Sequence, residues 1–245
     1  MDQSQALTVL IFLAAILYAS VGQAGASGYL AAMALVGVSA DVMKPAALLL
    51  NVVVSGIAVT RFRRAGVVSG TLLWPFVIGS IPMAFIGGAI YLPAAVYHPA
   101  VGLVLVATGL RMLYSAYAHE QPQPRQISRE MAILVGAVIG LVAGLTGTGG
   151  GIMLAPLLIV MGWASSREAA GTAAAFILVN SLAALAGNLV NMRYLPQEVG
   201  LWAVAASAGG YLGAELGSRY LAPRTLHFLL AIVLLVAGGK LLFTS

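Results

Sequence analysis

The chain contains no cysteine. Disulfides, thiolate metal sites and cysteine nucleophiles are therefore excluded. Charge is scarce as well. Only 8% of residues are Asp, Glu, Lys or Arg, against roughly 25% in soluble domains. With 61% of its 245 residues hydrophobic, the chain has too little polar surface to cover a globule in water. It reads as an integral membrane protein with most of its length in lipid. Titratable groups are few in the apolar runs. His98, His119 and His227 fall at run ends or in a polar linker, and no paired Asp, His-Glu-x-x-His or Ser/His constellation occurs. General acid–base chemistry needs such positioned groups, so no catalytic residue or metal site is expected. The net charge of +5 comes mainly from Arg in short loops. No basic run is interleaved with aromatics, so nucleic acid is not an expected partner. The N-terminus lacks the positive stretch of a signal peptide, and the apolar segment from Ala6 to Ala24 is expected to be a retained first span.

What the chain does have is apolar length. Long runs predict spans over about 5–22, 42–60, 69–91, 98–118, 130–146, 167–190, 198–218 and 224–243, each near the roughly 20 residues that cross a bilayer. Two shorter runs, about 28–39 and 150–163, cover little more than half of a roughly 30 Å core at about 1.5 Å per residue. The expected fold is all-α: a polytopic integral membrane protein of 8–10 transmembrane helices, with short or broken helices after glycine-rich turns.

A polar linker over 119–130 carries Pro122 and Pro124 and no apolar periodicity. It separates a first repeat, 1–118, from a second, 131–245. Landmarks recur at an offset of roughly 125 to 129 residues. Gly37 matches Gly162, Trp74 matches Trp202, and Ser80, Ala84 and Gly88 match Gly209, Gly213 and Gly217. Each trio is a small-residue stripe suited to close helix packing in lipid. Arg61, Arg63 and Arg64, and Arg111, Arg125 and Arg129 around the linker, place both of these loops in the cytoplasm by the positive-inside rule, and the loop from Leu92 to Pro99, without Lys or Arg, outside. Re-entrant short runs would give four spans per half and parallel repeats. Full crossings would give five and inverted repeats, which is the favoured arrangement.

Two glycine-rich segments interrupt this apolar background. The first holds Gly22, Gln23, Gly25, Ser27 and Gly28; the second runs from Gly144 to Pro156 and holds Thr146, Gly147, Thr148, Gly149, Gly150 and Gly151. Irregular backbone at membrane depth is tolerated only where it is buried in protein or lines a cavity, and paired interruptions point to a transporter's binding site. Helices beginning near Gly28 and Gly150 would aim free N–H groups back into the glycine turns, and a helix N-terminus favours anions. Ser27, Thr146 and Thr148 would add hydroxyls. The alternative is that the glycines serve only tight helix crossing. The spacing is not that of a nucleotide-binding loop.

Asn51, Thr172, Asn180 and Ser181 also sit in apolar spans. A polar side chain there must bond either a neighbouring helix or a ligand. Lys44, near the start of a span, either attracts the anion or extends to the interface. Glu215 is a carboxylate deep in a span. It either couples protons or pairs with Arg219 four residues on.

The run Gly144-Leu-Thr-Gly-Thr-Gly-Gly-Gly-Ile-Met-Leu-Ala-Pro156, followed by Gly162, Glu168-Ala-Ala-Gly-Thr172 and Asn180-Ser181, resembles the TauE/SafE family of sulfite exporters, also called TSUP-type permeases. Arg61-Phe-Arg-Arg-Ala-Gly66 resembles the basic loop closing the matching helix of the first half. The first glycine segment departs from the family's G-x-G-G-G-like pattern. The resemblance implies a permease of the bacterial inner membrane for sulfite, sulfoacetate or related sulfonates, with no catalytic residue and no organic cofactor. The expected function is a secondary transporter working by alternating access around a midplane site. Protons or Na+ are the candidate coupling ions, and a homodimer is a candidate assembly. An anion channel and a membrane scaffold without flux are the alternatives.

Overall fold

A computed structural model describes residues 3–20, 23–117, 126–191, 195–219 and 223–243; the side chains of 3, 20, 115–117, 166, 214–219, 223–227, 229 and 230 lie outside that description. Among the described residues ten helices follow in order: α1 (Gln3–Ser20), α2 (Ala26–Val36), α3 (Ala40–Arg64), α4 (Gly70–Ala89), α5 (Ala94–Tyr117), α6 (Arg129–Thr146), α7 (Gly151–Val160), α8 (Ser166–Asn188), α9 (Val199–Arg219) and α10 (Pro223–Phe243). Among the described residues five helices are long and apolar enough to cross a membrane: α3, α4, α5, α6 and α8. Large apolar side chains such as Trp74, Leu103, Leu134, Val204 and Val236 point outward. An apolar exterior of this extent is the surface of a protein solvated by lipid.

Local chemistry sets the helix ends. Ser69 and Ser128 accept N–H bonds at the starts of α4 and α6, and Ser165 forms a capping box with Glu168 at the start of α8. Gly37, with φ of 82°, closes α2 in the left-handed conformation that glycine adopts without a Cβ penalty.

Helix lengths run 18, 11, 25, 20 and 24 residues over the first five and 18, 10, 23, 21 and 21 over the second five. Packing follows the same exchange. α1 lies along α9, as α6 lies along α4, while α3 packs on α8 and α5 on α10. Small residues let the backbones approach. A Cβ on Gly140 would stand 2.4 Å from the Ser80 carbonyl oxygen, and one on Gly144 would stand 2.3 Å from that of Ala84. In the α1–α9 pair a Cβ on Gly209 would meet the Phe12 carbonyl at 2.5 Å, and one on Gly213 that of Ile16 at 2.2 Å. The small-residue stripes of α4 and α9 thus make equivalent contacts.

The two short-helix turns lie toward opposite ends of α4. Trp163, after α7, packs its ring 6.4 Å from that of Phe76 in the N-terminal half of α4. Ser39, after α2, borders a cavity that also touches Ile90, past the C-terminus of α4.

Candidate functional site

Each short helix begins on a glycine. Gly25, with φ of 95°, precedes α2, and Gly150, with φ of 77°, precedes α7. The second turn holds Gly147 and Gly149 in the left-handed region as well, with φ of 84° and 73°. Three such residues within four positions require glycine, because an L side chain there is strained. Tyr29 is the residue whose N–H bonds Gly25 O, and Met153 and Leu154 donate to Gly150 O. The amides before them lack intrahelical partners, as at any helix start.

The two turns face one internal cavity. Its lining includes Tyr18, Gln23, Gly25 and Ser27 from the first half, Asn51 from α3, Thr148 and Ile152 from the second turn, and Ile177 from α8. A water centre has about 10 Å³ in which to move, about enough for a single water molecule. Gly149 joins the cavity to α8. A Cβ there would lie 2.6 Å from Asn51 Nδ2 and 2.9 Å from Ser181 Oγ.

Hydrogen-bonding capacity around the turns is largely unused. Both amide atoms of Asn51, Gln23 Oε1, the Ser181 hydroxyl and Asn180 Oδ1 are buried without a protein partner. The Tyr18 hydroxyl lies beside Ser27 without closing a hydrogen bond. Asn180 Nδ2 donates to Phe176 O at 2.8 Å. Unpartnered buried amides are rare and costly, so this concentration marks a place where a ligand or water completes the bonding. Among the described residues no group of three or more His, Asp or Glu gathers. The site offers amide, hydroxyl and backbone N–H groups.

The two threonines are more constrained than their positions suggest. Thr146 Oγ1 donates to Val142 O at 2.7 Å and lies 3.0 Å from Thr148 Oγ1. Each hydroxyl has one proton. Thr148 therefore donates to Thr146 and presents its lone pairs to the cavity until its rotor turns.

Other expected residues lie elsewhere. Thr172 is buried and unpartnered but sits eight residues before Asn180, about 12 Å along α8 at 1.5 Å per residue. Its neighbour Gly171 packs against Val67, in the α3–α4 connection. Gly28 packs on Tyr18, Gly147 on the Lys44 backbone and Gly151 on Ile177. Gly22 lies outside the described residues, as do the side chains of Glu215 and Arg219 on α9. Lys44 reaches the end of α4. It is buried, and Nζ donates to Gly87 O at 3.0 Å, Gly88 O at 2.9 Å and Ile90 O at 3.1 Å. It caps the C-terminus of α4, where a cation complements the helix dipole. Asn188 Nδ2 reaches Gly88 O from α8 at 3.3 Å, and Asn191 Nδ2 bonds Ala89 O.

Sequence reasoning missed three tyrosines. Besides Tyr18, Tyr29 donates its hydroxyl to Ala24 O at 3.0 Å and Tyr97 donates to Thr146 O at 2.9 Å, so both brace the glycine turns. Their signal was a phenol placed inside an apolar run, which needs a partner when buried.

Residues 7–241 match a family model described as "Sulfite exporter TauE/SafE". Over 240 residues the chain is 43% identical to "Probable membrane transporter protein y4hK" of Sinorhizobium fredii, covering 97% of each chain. Over 238 residues it is 26% identical to "Probable membrane transporter protein YjnA" of Bacillus subtilis, covering 90% of this chain and 92% of that one. No solved structure gives a significant match.

Proposed function

The chain belongs to the sulfite exporter TauE/SafE family and is a membrane transporter rather than an enzyme; from that premise we propose that it carries a small oxyanion, sulfite or an organosulfonate such as sulfoacetate, across the bacterial inner membrane by alternating access. The observation that carries this reading is the convergence of two helix N-termini on one cavity whose buried polar groups lack partners. Helix N-termini supply partial positive charge and N–H donors to an anion without a fully charged side chain. Asn51 and Ser181 flank Gly149 and add side-chain donors.

The two halves, 1–118 and 131–245, act as inverted repeats of five helices in this reading, with the linker and the Arg61–Arg64 loop cytoplasmic. The exchange of helix partners and the placing of the short-helix turns toward opposite ends of α4 support that arrangement. Rocking of one half on the other would open the site to each side in turn, driven by protons or Na+.

The test is uptake of radiolabelled sulfite into proteoliposomes. Saturable uptake that responds to an imposed proton or Na+ gradient is expected. Gly149→Val, which forces a side chain onto Asn51 and Ser181, should abolish it while membrane insertion stays largely intact. Normal uptake by that variant would remove the glycine turn from the mechanism. Unsaturated ohmic current would replace the carrier with a channel.

A further inference from the structure

A second, larger cavity of about 590 Å³ opens where α2 meets α3, α4 meets α5 and α8 ends. Lys44, Tyr97, Asn188 and Asn191 line it. Lys44 is 6% exposed, and among the described residues no carboxylate pairs with its ammonium. Asp41 stands at the exposed mouth, where water and salt screen it. The three carbonyls at the end of α4 hold all three N–H groups of Lys44, but a helix C-terminus supplies only roughly half a unit of negative charge. An under-compensated cation therefore borders an open polar chamber. Asn188, 7% exposed, borders it too. Its Nδ2 spends one proton on Gly88 O, and its Oδ1 has no partner.

We propose that this chamber is a loading site for the transported oxyanion, separate from the glycine-turn site. The anion displaces the Ile90 carbonyl from Lys44 Nζ and takes the second N–H of Asn188. Ile90 is the partner suited to exchange. Its bond is the longest of the three at 3.1 Å, it lies past the helix with φ of −72° and ψ of 121°, and it is 40% exposed, so its freed carbonyl can turn to water. Both bonds are charge-assisted on the donor side, but only the replacing one sets a full negative charge against the ammonium that the carbonyls leave under-compensated.

A route inward follows α3. Lys44 and Asn51 are seven residues apart, about 10 Å and two turns along one helix face. A Cβ on Gly147 would lie 3.2 Å from Lys44 O, and Gly149 lies against Asn51, so the second glycine turn runs alongside α3 from chamber to inner site. Tyr97 borders the chamber and bonds Thr146 O, tying α5 to the same turn.

The proposal rests on the transporter reading, and two measurements separate their failures. Lys44 and Lys240 are the two lysines of the chain. In detergent-purified Lys240→Arg protein, sulfite and methanesulfonate should each slow modification of Lys44 by a neutral amine-reactive reagent at least threefold, read by peptide mass spectrometry. The protection should persist when Gly149→Val is added. Modification indifferent to both anions, or a Lys44 that never reacts, would overturn the loading site. Equilibrium binding of radiolabelled sulfite should show two sites in the wild type and in Lys44→Arg, and one in Lys44→Met and in Gly149→Val. If Lys44→Met binds as the wild type does while Gly149→Val loses a site, the loading site falls and the inner site stands. If Gly149→Val binds as the wild type does while Lys44→Met loses a site, the inner site falls instead.

Discussion

Both ends of the buried Asn51 amide lack a protein partner. An unpartnered amide costs about 1–3 kcal/mol by mutational measure, and a protein that keeps one retains it for a reason other than stability. Asn51→Leu preserves much of the volume and removes the polar atoms. Its Tm should equal or exceed that of the wild type, while sulfite uptake should fall at least tenfold; a variant that transports normally would return Asn51 to plain helix packing. Tyr97→Phe acts in the opposite sense. It leaves Thr146 O without its donor and should lower stability by about 1 kcal/mol, readable as a depressed Tm. At this scale the asparagines and glycines were legible because a polar atom or a missing side chain stands out in an apolar run. Tyr18, Tyr29 and Tyr97 were not, because a phenol hides its single polar atom behind a ring. The direction of the Thr146–Thr148 bond was also out of reach, since it depends on Val142 O one turn back.

At the scale of elements, helix packing is set by residues that are absent in bulk. Gly140→Leu must push α6 away from the Ser80 carbonyl. Overpacking of this kind costs about 1–3 kcal/mol where the core can adjust, and backbone oxygen adjusts poorly. The variant should show a lower Tm and an aggregated fraction on size-exclusion chromatography. Gly56→Leu is the matched control: a Cβ there has nothing within 4 Å, and its Tm should stay near that of the wild type. The ten helices were legible as apolar runs, but their ends were less so. The short runs expected over about 28–39 and 150–163 end as helices at Val36 and Val160. Apolar residues continue past both stops, so hydropathy does not register the break, and only the glycines Gly37 and Gly162 mark it in the sequence. Left-handed Gly37 and Gly162 do the stopping, and a turn of that kind is backbone geometry, not polarity.

At the scale of the molecule, the order of helices was readable from one chain, whereas the partner of each helix was not. That α1 lies along α9 and α6 along α4 follows from stripe matching stripe across the two halves, a tertiary choice with many near-equivalents among glycine- and alanine-rich faces. The absence of cysteine makes the inverted arrangement directly testable. Single cysteines at Ser39 and at Ala164, in the two short-helix turns, should be labelled from opposite sides of the membrane in oriented vesicles, Ser39→Cys from outside. Labelling of both from one side would make the repeats parallel.

The inner cavity offers space for about one water molecule. Under the proposed reading, sulfite and sulfonates exceed that volume, so the inner cavity would swell around its cargo and shrink behind it. Among the described residues, the inner cavity of an idle copy is thus too small to hold a file of water along which protons could hop. Thousands of unloaded copies could sit in an energised membrane without dissipating the proton gradient that other machinery maintains.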